Sequence, residues 1–394
     1  MTTPSPMRRL HIAFVVDRFG NRFGGAEAYG VELVRQLIQQ HDVTVFAREY
    51  DSACGVAAPF VSLSSWKHWP SWVRVLLFAI RARQKTRTGF DVVHSHMNGW
   101  CGDIEVIHVT PVRYNWRVRP VSWLKKITSF ISPRVQTYLR LERKRVAPRR
   151  AHRTVAVSEL IATQLRQAYG DHQVYPVIPP GVVPPERNSP HTIHTLRADL
   201  KLADDDFVAL MVARNPMRKG LPTVLEAMKR LPDHYKLVVV GSTPATREFI
   251  HSASGYPELA HRIRLIPPTP HVGVYYQLAQ VYVHPTRNDS FGMAPLEALS
   301  YGLPVILSPM PWCGFAQYVQ HETDALLLDH PENALELAQY MQRVATDPVL
   351  QERLRQGAHA VVQRHGWDQV AAQYLELYDQ VLMERTALLA GIKK

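Results

Sequence analysis

Pro176, Pro179, Pro180, Gly181, Pro184, Pro185 and Pro190 fall within fifteen residues of one another. Proline lacks the amide hydrogen and fixes φ, so neither a helix interior nor a central strand tolerates such a run. It breaks the 394 residues into two halves, and a chain of this length is expected to form more than one core. The same alternation runs on both sides of the break. Before it, short apolar runs at 11–16, 43–46, 90–94 and 154–157 read as strands. Helical spacing separates them: Val31, Val34, Leu37 and Ile38 share one face, and so do Val73, Leu76, Leu77 and Ile80. After it, strands are expected at 207–212, 236–240, 262–266, 281–284, 305–307 and 325–328. A last helix carries Val370, Ala371, Tyr374, Tyr378, Val381 and Leu382 on one stripe. Short, largely apolar strands alternating with helices predict two α/β domains, each a parallel sheet covered on both faces.

Charge is as localised as the prolines. The formal net charge is +12, yet residues 113–153 hold 13 Lys or Arg and a single acid, Glu142. The remaining 33 bases balance 33 acids, so one region carries the whole surplus. Such a region attracts anionic lipid, lipid-linked glycans or nucleic acid. It reads as helical: Leu124, Ile127 and Ile131 form one stripe, Ser132-Pro133 a cap and first-turn proline, and Val135, Tyr138, Leu139 and Val146 a second stripe. Trp116, Trp123, Phe130 and Tyr138 interleave with the bases, which suits a membrane interface. No nucleic-acid-binding module accompanies the charge, so nucleic acid is not expected as a partner. Arg113, Arg117, Arg119, Lys125, Lys126 and Arg134 are the expected contacts to a membrane surface or an anionic acceptor.

Cys54, Cys101 and Cys313 are too far apart for a CxxC site or a disulfide framework, which points to a reducing compartment. No apolar run approaches the ~20 residues needed to span a bilayer. Val15-Val16 runs straight into Asp17-Arg18, which reads as a buried strand and not as a signal peptide. A cytoplasmic protein, peripheral on the inner face of the membrane, is expected.

Four segments carry candidate chemistry. In 285–305 a strand opens into a helix at Ser290, Phe291, Gly292 and Met293, whose free N–H groups favour an anion. Asp289 precedes that helix start and Glu297 lies within about two turns of it. In 212–220 Arg214 follows a strand and a helix opens after Lys219-Gly220, so two cations, with Arg218 as an extra candidate, lie where a strand gives way to a helix. Gly24-Gly25 follows the first strand, where paired glycines admit a close backbone approach. His94 and His96 share one side of a strand, and His108, with Asp103 nearby, lies downstream. A metal site would need a ligand that the sequence does not supply, and Asp204, Asp205 and Asp206 read as a turn. Plainer readings exist for each: solvated acids, surface ion pairs, a simple turn, a satisfied structural histidine. The functional reading rests on their occurrence together.

Together these segments resemble the retaining family 4 glycosyltransferases of the GT-B fold, over nearly the whole chain. The family signature is an acid, seven residues, Glu, then Ala-x-x-x-Gly-x-Pro-Val. Asp289 stands where Glu is usual, and Ala213 stands where a glycine usually precedes the arginine. The resemblance implies two Rossmann-like parallel-sheet domains facing a cleft, at 1–183 and 184–368, with a helix at 369–394 crossing back to the first. It implies that Asp289 meets the donor sugar and Glu297 the ribose, that Arg214 and Lys219 hold the phosphates, and that Phe291, Gly292 and Met293 line the donor. Gly24 and Gly25 would approach the donor phosphates, and His108 the reaction centre, leaving His108, Asp289, Arg214 and Lys219 as the catalytic set. The basic insert ending in Glu142-Arg143, the Pro179-Pro180-Gly181 crossover and the segment 312–318 are most like the family's lipopolysaccharide-core glucosyltransferases. The implied reaction moves a sugar from a nucleoside diphosphate sugar, UDP-glucose or similar, to a hydroxyl of a lipopolysaccharide-core or other membrane-linked glycan, with retention and without cofactor or metal. The alternatives are a nucleotide-sugar epimerase of the same fold and a non-catalytic, membrane-docked glycan-binding protein.

Overall fold

The computed structural model describes residues 8–63, 68–252 and 255–392. Residues 1–7, and the last two residues of the expected closing helix, lie outside them. The chain forms two compact units, Met1–Gly181 with Trp367–Lys394, and Val182–Gly366.

Unit 1 holds a six-stranded parallel sheet: β1 (His11–Val15), β2 (Asp42–Ala47), β3 (Phe60–Ser62), β4 (Val92–Ser95), β5 (Ile104–Ile107) and β6 (Arg153–Ala156), in the order β3-β2-β1-β4-β5-β6. Two of these strands were not expected. β3 is a three-residue edge strand, too short to show a pattern. β5 is wholly buried but contains Glu105, and an acid argues against a buried strand until its partner is known. That partner is Arg145, whose Nε lies 3.0 Å from Glu105 Oε2.

The helix α1 (Gly25–Leu37) covers this sheet and packs on the closing helix α13 (Trp367–Ile392). The Tyr29 hydroxyl lies 3.2 Å from the Ile178 carbonyl and 3.1 Å from the Tyr374 hydroxyl. Arg385 pairs with Asp103 at 2.6 Å, and Glu384 with Arg153. Gly181 lies against Trp367, where a Cβ would come within 2.9 Å of the indole, so the proline segment and the start of α13 touch at a glycine.

Unit 2 repeats the plan with β7 (Phe207–Val212), β8 (Tyr235–Val240), β9 (Ile263–Ile266), β10 (Val281–His284), β11 (Val305–Leu307) and β12 (Leu326–Leu327), in the order β9-β8-β7-β10-β11-β12. Both sheets therefore have the doubly wound order in which the strand sequence reverses beside the first strand of each unit. Ligands in such folds bind outside the carboxyl ends of the strands at that reversal. In unit 2 the reversal lies between β7 and β10.

Candidate donor site

The ends of β7 and β10 carry the unit 2 candidates. Beyond β7 the chain turns through 213–220, with the Leu221 N–H donating to the Pro216 carbonyl at 3.0 Å, and opens α7 (Leu221–Met228). Gly220 caps that helix at φ +93°, and a Cβ there would overlap the carbonyl oxygen of Pro285. Only glycine lets the Lys219 turn lie on the segment that follows β10. Beyond β10, the Asp289 N–H donates to the Trp312 carbonyl at 2.8 Å, and the Gly314 N–H to the Asp289 carbonyl at 3.0 Å. These two bonds fix the Asp289 backbone. Gly292, at φ +117°, then caps α10 (Met293–Ser300), with space for a Cβ closed to 3.1 Å by Cys313 and Phe315.

Lys219 forms an ion pair with Asp289 Oδ2, and His284 Nε2 lies 3.0 Å from the same oxygen. Burial opposes ionisation of Asp289, but the Lys219 charge and the His284 bond outweigh it and hold the carboxyl below the usual aspartate range. Glu297, eight residues on, sits in the opposite setting. Burial raises its carboxyl above the ordinary value, and the Tyr276 hydroxyl, donating to Oε2 at 2.9 Å, offsets this only in part. The site thus offers one carboxylate held ionised by its two partners and one, half-buried, with no ion pair among the described residues.

The other unit 2 candidates divide. Arg214 and Arg218 are exposed beyond β7, and Met293 is half-buried at the first turn of α10. Phe291 is buried against Phe315 and Tyr318, at ring separations of 5.4 Å and 5.6 Å. Its ring is core, and only its backbone is left for a ligand. Sequence reasoning missed His284: it ends an apolar strand run and is itself 1% exposed, so it passed as one more buried strand residue.

In unit 1, Gly24 caps α1, and a Cβ there would come within 2.6 Å of the Glu27 carboxylate. Glu27 is buried and pairs with Arg18 at 3.1 Å, so it braces the Gly24–Gly25 turn. His108 is 9% exposed. Its ring lies 4.2 Å from that of His96 and edge-on to Tyr29 at 5.2 Å, and its Nε2 is buried without a hydrogen bond. His94 bonds the Tyr378 hydroxyl at 2.7 Å and His96 at 3.3 Å. Burial depresses all three imidazoles, His96 to about 3, so the stack is neutral. Asp103 accepts from the Val93 N–H at 2.8 Å and pairs with Arg385, both internal ties of unit 1.

The basic region splits into two different surfaces. Helix α4 (Pro133–Val146) buries Val135, Leu139 and Val146, and its Glu142 accepts the Val112 and Arg113 N–H groups at 2.5 Å and 2.9 Å and the Tyr169 hydroxyl at 2.7 Å. Helix α3 (Trp123–Ile131) does the reverse. Its apolar residues face solvent, from Trp123 at 67% to Ile131 at 74% exposure, with Leu124, Ile127 and Phe130 between them. Arg113, Arg117 and Lys125 lie over the rings of Tyr169, Phe130 and Trp116, whereas Arg119, Lys126 and Arg134 are exposed. No helix among the described residues is long and apolar enough to cross a membrane.

A doubly wound sheet in each half of one chain is the architecture of the GT-B glycosyltransferases, and the comparisons agree. Residues 23–184 match the family described as glycosyltransferase family 4, and residues 192–361 the glycosyl transferases group 1. The chain is a glycosyltransferase of the GT-B type, group 1 and family 4-like. Among curated relatives, it is 27% identical to a D-inositol 3-phosphate glycosyltransferase of Xylanimonas cellulosilytica, over 92% of this chain and 93% of that one. Among solved structures, WaaG, a glycosyltransferase involved in lipopolysaccharide biosynthesis, superposes with a TM-score of 0.73 at 16% identity, over 93% of this chain and 99% of WaaG. HepE of Anabaena, solved with UDP and glucose, superposes with a TM-score of 0.74 at 17% identity, over 93% and 99%.

Proposed function

We propose that unit 2 binds a nucleoside diphosphate sugar and that the enzyme transfers the sugar, with retention of configuration, to a hydroxyl of an anionic, membrane-linked glycan. The observation that carries this reading is the grouping of Lys219, Asp289 and Glu297 at the carboxyl ends of β7 and β10, beside a glycine-capped helix start. Glu297, a carboxylate with no ion pair among the described residues, suits a ribose diol, because such a group accepts from both hydroxyls. Lys219, Arg214 and the N–H groups that open α10 suit a diphosphate, whose negative charge grows as the bond from the anomeric carbon to phosphate oxygen breaks. Asp289 is left for a hydroxyl of the sugar. No protein nucleophile and no metal are assigned. The UDP and glucose bound by HepE support a uridine donor carrying glucose or a similar hexose.

The acceptor side rests on α3. A short helix that turns five large apolar side chains to water beside Arg119, Lys126 and Arg134 suits the boundary of an anionic bilayer, with the apolar residues among acyl chains and the bases at headgroups. The role of WaaG in lipopolysaccharide biosynthesis supports a glycolipid acceptor of that kind, met at the inner face of a membrane. A screen of UDP-, GDP- and ADP-sugars, with and without glycolipid acceptor, tests the reading. Acceptor-dependent release of one nucleoside diphosphate is expected. Acceptor-independent conversion to an epimerised sugar, or binding without turnover of any donor, would overturn it.

A further inference from the structure

Both groups that hold Asp289 use the same oxygen. The Lys219 ammonium and His284 Nε2 converge on Oδ2, and no hydrogen bond to Oδ1 occurs among the described residues. The two partners differ in how they are held. Lys219 ends a flexible four-carbon stem on a turn. The His284 side chain is almost wholly buried at the end of β10. Its ring stacks with that of Tyr282, centroids 6.0 Å apart, and its Nδ1 lies 3.4 Å from the Tyr282 hydroxyl. That hydroxyl is in turn 3.3 Å from the carbonyl of Val212, the last residue of β7. An ionised carboxylate only accepts, so Nε2 carries the hydrogen, Nδ1 is left as the acceptor, and the single hydrogen of the Tyr282 hydroxyl is shared between Nδ1 and the Val212 carbonyl. Burial keeps the imidazole below its ordinary pKa, and a neutral ring donates through Nε2 without competing for the phosphates.

If a diphosphate claims the Lys219 ammonium, as the proposed function requires, Asp289 loses its mobile partner and keeps its fixed one. We infer that His284 is a positioning residue for the donor sugar: held by its burial and by its stacking on Tyr282, it keeps Asp289 by Oδ2, so that Oδ1 accepts a sugar hydroxyl while Lys219 serves the diphosphate. Aspartate is matched to this role. A glutamate at the same backbone position is one methylene longer and would carry its carboxylate past Nε2. The inference rests on the donor reading above, and it concerns the sugar and not the nucleotide.

The test compares wild type with His284→Leu, which cannot donate, His284→Gln, which can, and Tyr282→Phe, which removes the hydroxyl behind the ring. Titration calorimetry with UDP, GDP and ADP, and steady-state transfer with their glucose conjugates, separate nucleotide from sugar, and thermal unfolding monitors the fold. For His284→Leu, affinity for the free diphosphate is expected within about twofold of wild type. Its kcat/KM is expected to fall about ten- to a hundredfold, mostly in kcat, the range for loss of a hydrogen bond to a charged group. His284→Gln should recover most of that loss, and Tyr282→Phe should show the same effect at smaller size. Equal losses for diphosphate binding and for transfer, or equal behaviour of the Leu and Gln variants, would mark His284 as merely structural and overturn the inference. Wild-type turnover of none of these donors would overturn the donor reading itself and this inference with it. Wild-type turnover together with an unimpaired Leu variant would overturn the inference alone.

Discussion

Glu297→Gln separates a ligand-binding carboxylate from a packing one, because the two roles predict opposite signs. Glutamine keeps the shape and the acceptor for the Tyr276 hydroxyl, 2.9 Å from Oε2 in the native protein. What it loses is the charge. If Glu297 accepts from two ribose hydroxyls, two charge-assisted hydrogen bonds become neutral ones, at about 1 kcal/mol each. Donor affinity should then fall by about 2 kcal/mol, roughly thirtyfold. The unliganded fold should respond the other way. Burial raises the Glu297 carboxyl above its ordinary value, so the folded state binds that proton more tightly than the unfolded chain does. Stability from this group is therefore full at low pH and is lost as pH rises from the ordinary glutamate range through the raised value. The Gln variant does not titrate there, so its melting temperature should rise relative to wild type as the pH climbs through that window. Wild-type donor affinity should weaken as the pH falls through the same raised value, while the variant stays flat at its lower level. Asp289, held below the usual carboxylate range against the cost of its burial, adds no acid limb there. Calorimetric titration with nucleoside diphosphate and thermal melts across acidic to neutral pH read both. A variant that binds as tightly as wild type, or a wild-type affinity flat in pH, would refute the ribose assignment.

Three further outcomes are expected. Gly220→Ala forces a side chain to φ +93° against the Pro285 carbonyl and should destabilise unit 2 by more than the ~1–3 kcal/mol of a strained backbone alone, measured by urea unfolding. Arg145→Met leaves the fully buried Glu105 without its charged partner, beside the Gly102 N–H 2.9 Å away, and should cost ~3–5 kcal/mol in unit 1. Burial already raises Glu105, with Arg145 opposing, so this deficit should grow as pH rises through the Glu105 value and shrink towards acid. Neutralising Arg119, Lys126 and Arg134 together should weaken binding to anionic vesicles at low salt by up to ~3 kcal/mol, about a hundredfold, with added salt acting likewise and Trp123→Ala weakening it further. Vesicle binding insensitive to these changes would remove α3 from the membrane.

What could be read from the chain, and what could not, divides by whether one residue's meaning depends on another far away in sequence. The strands at 207–212, 281–284 and 305–307 were legible because a parallel sheet buries both faces, so the runs are apolar but for the closing His284 and mark themselves. β5 was not, because Glu105 is tolerable in a buried strand only beside Arg145, forty residues on. The α3 stripe was legible as a stripe, but periodicity records only that apolar residues share a face. The neighbours decide whether that face meets a core or water, and Val135 and Leu139 of α4 took the core while Leu124 and Ile127 did not. The same reasoning explains the candidate site. Asp289, Lys219 and Glu297 stand out because they occur together, beside strand ends and glycine-opened helices, at a spacing that resembles a family signature. His284 does not stand out, since a histidine ending an apolar run looks like any strand residue until its Nε2 is found 3.0 Å from Asp289. The groups that face a ligand were therefore visible in the sequence, while the group that aims one of them emerged only from the packing of β10 against β7.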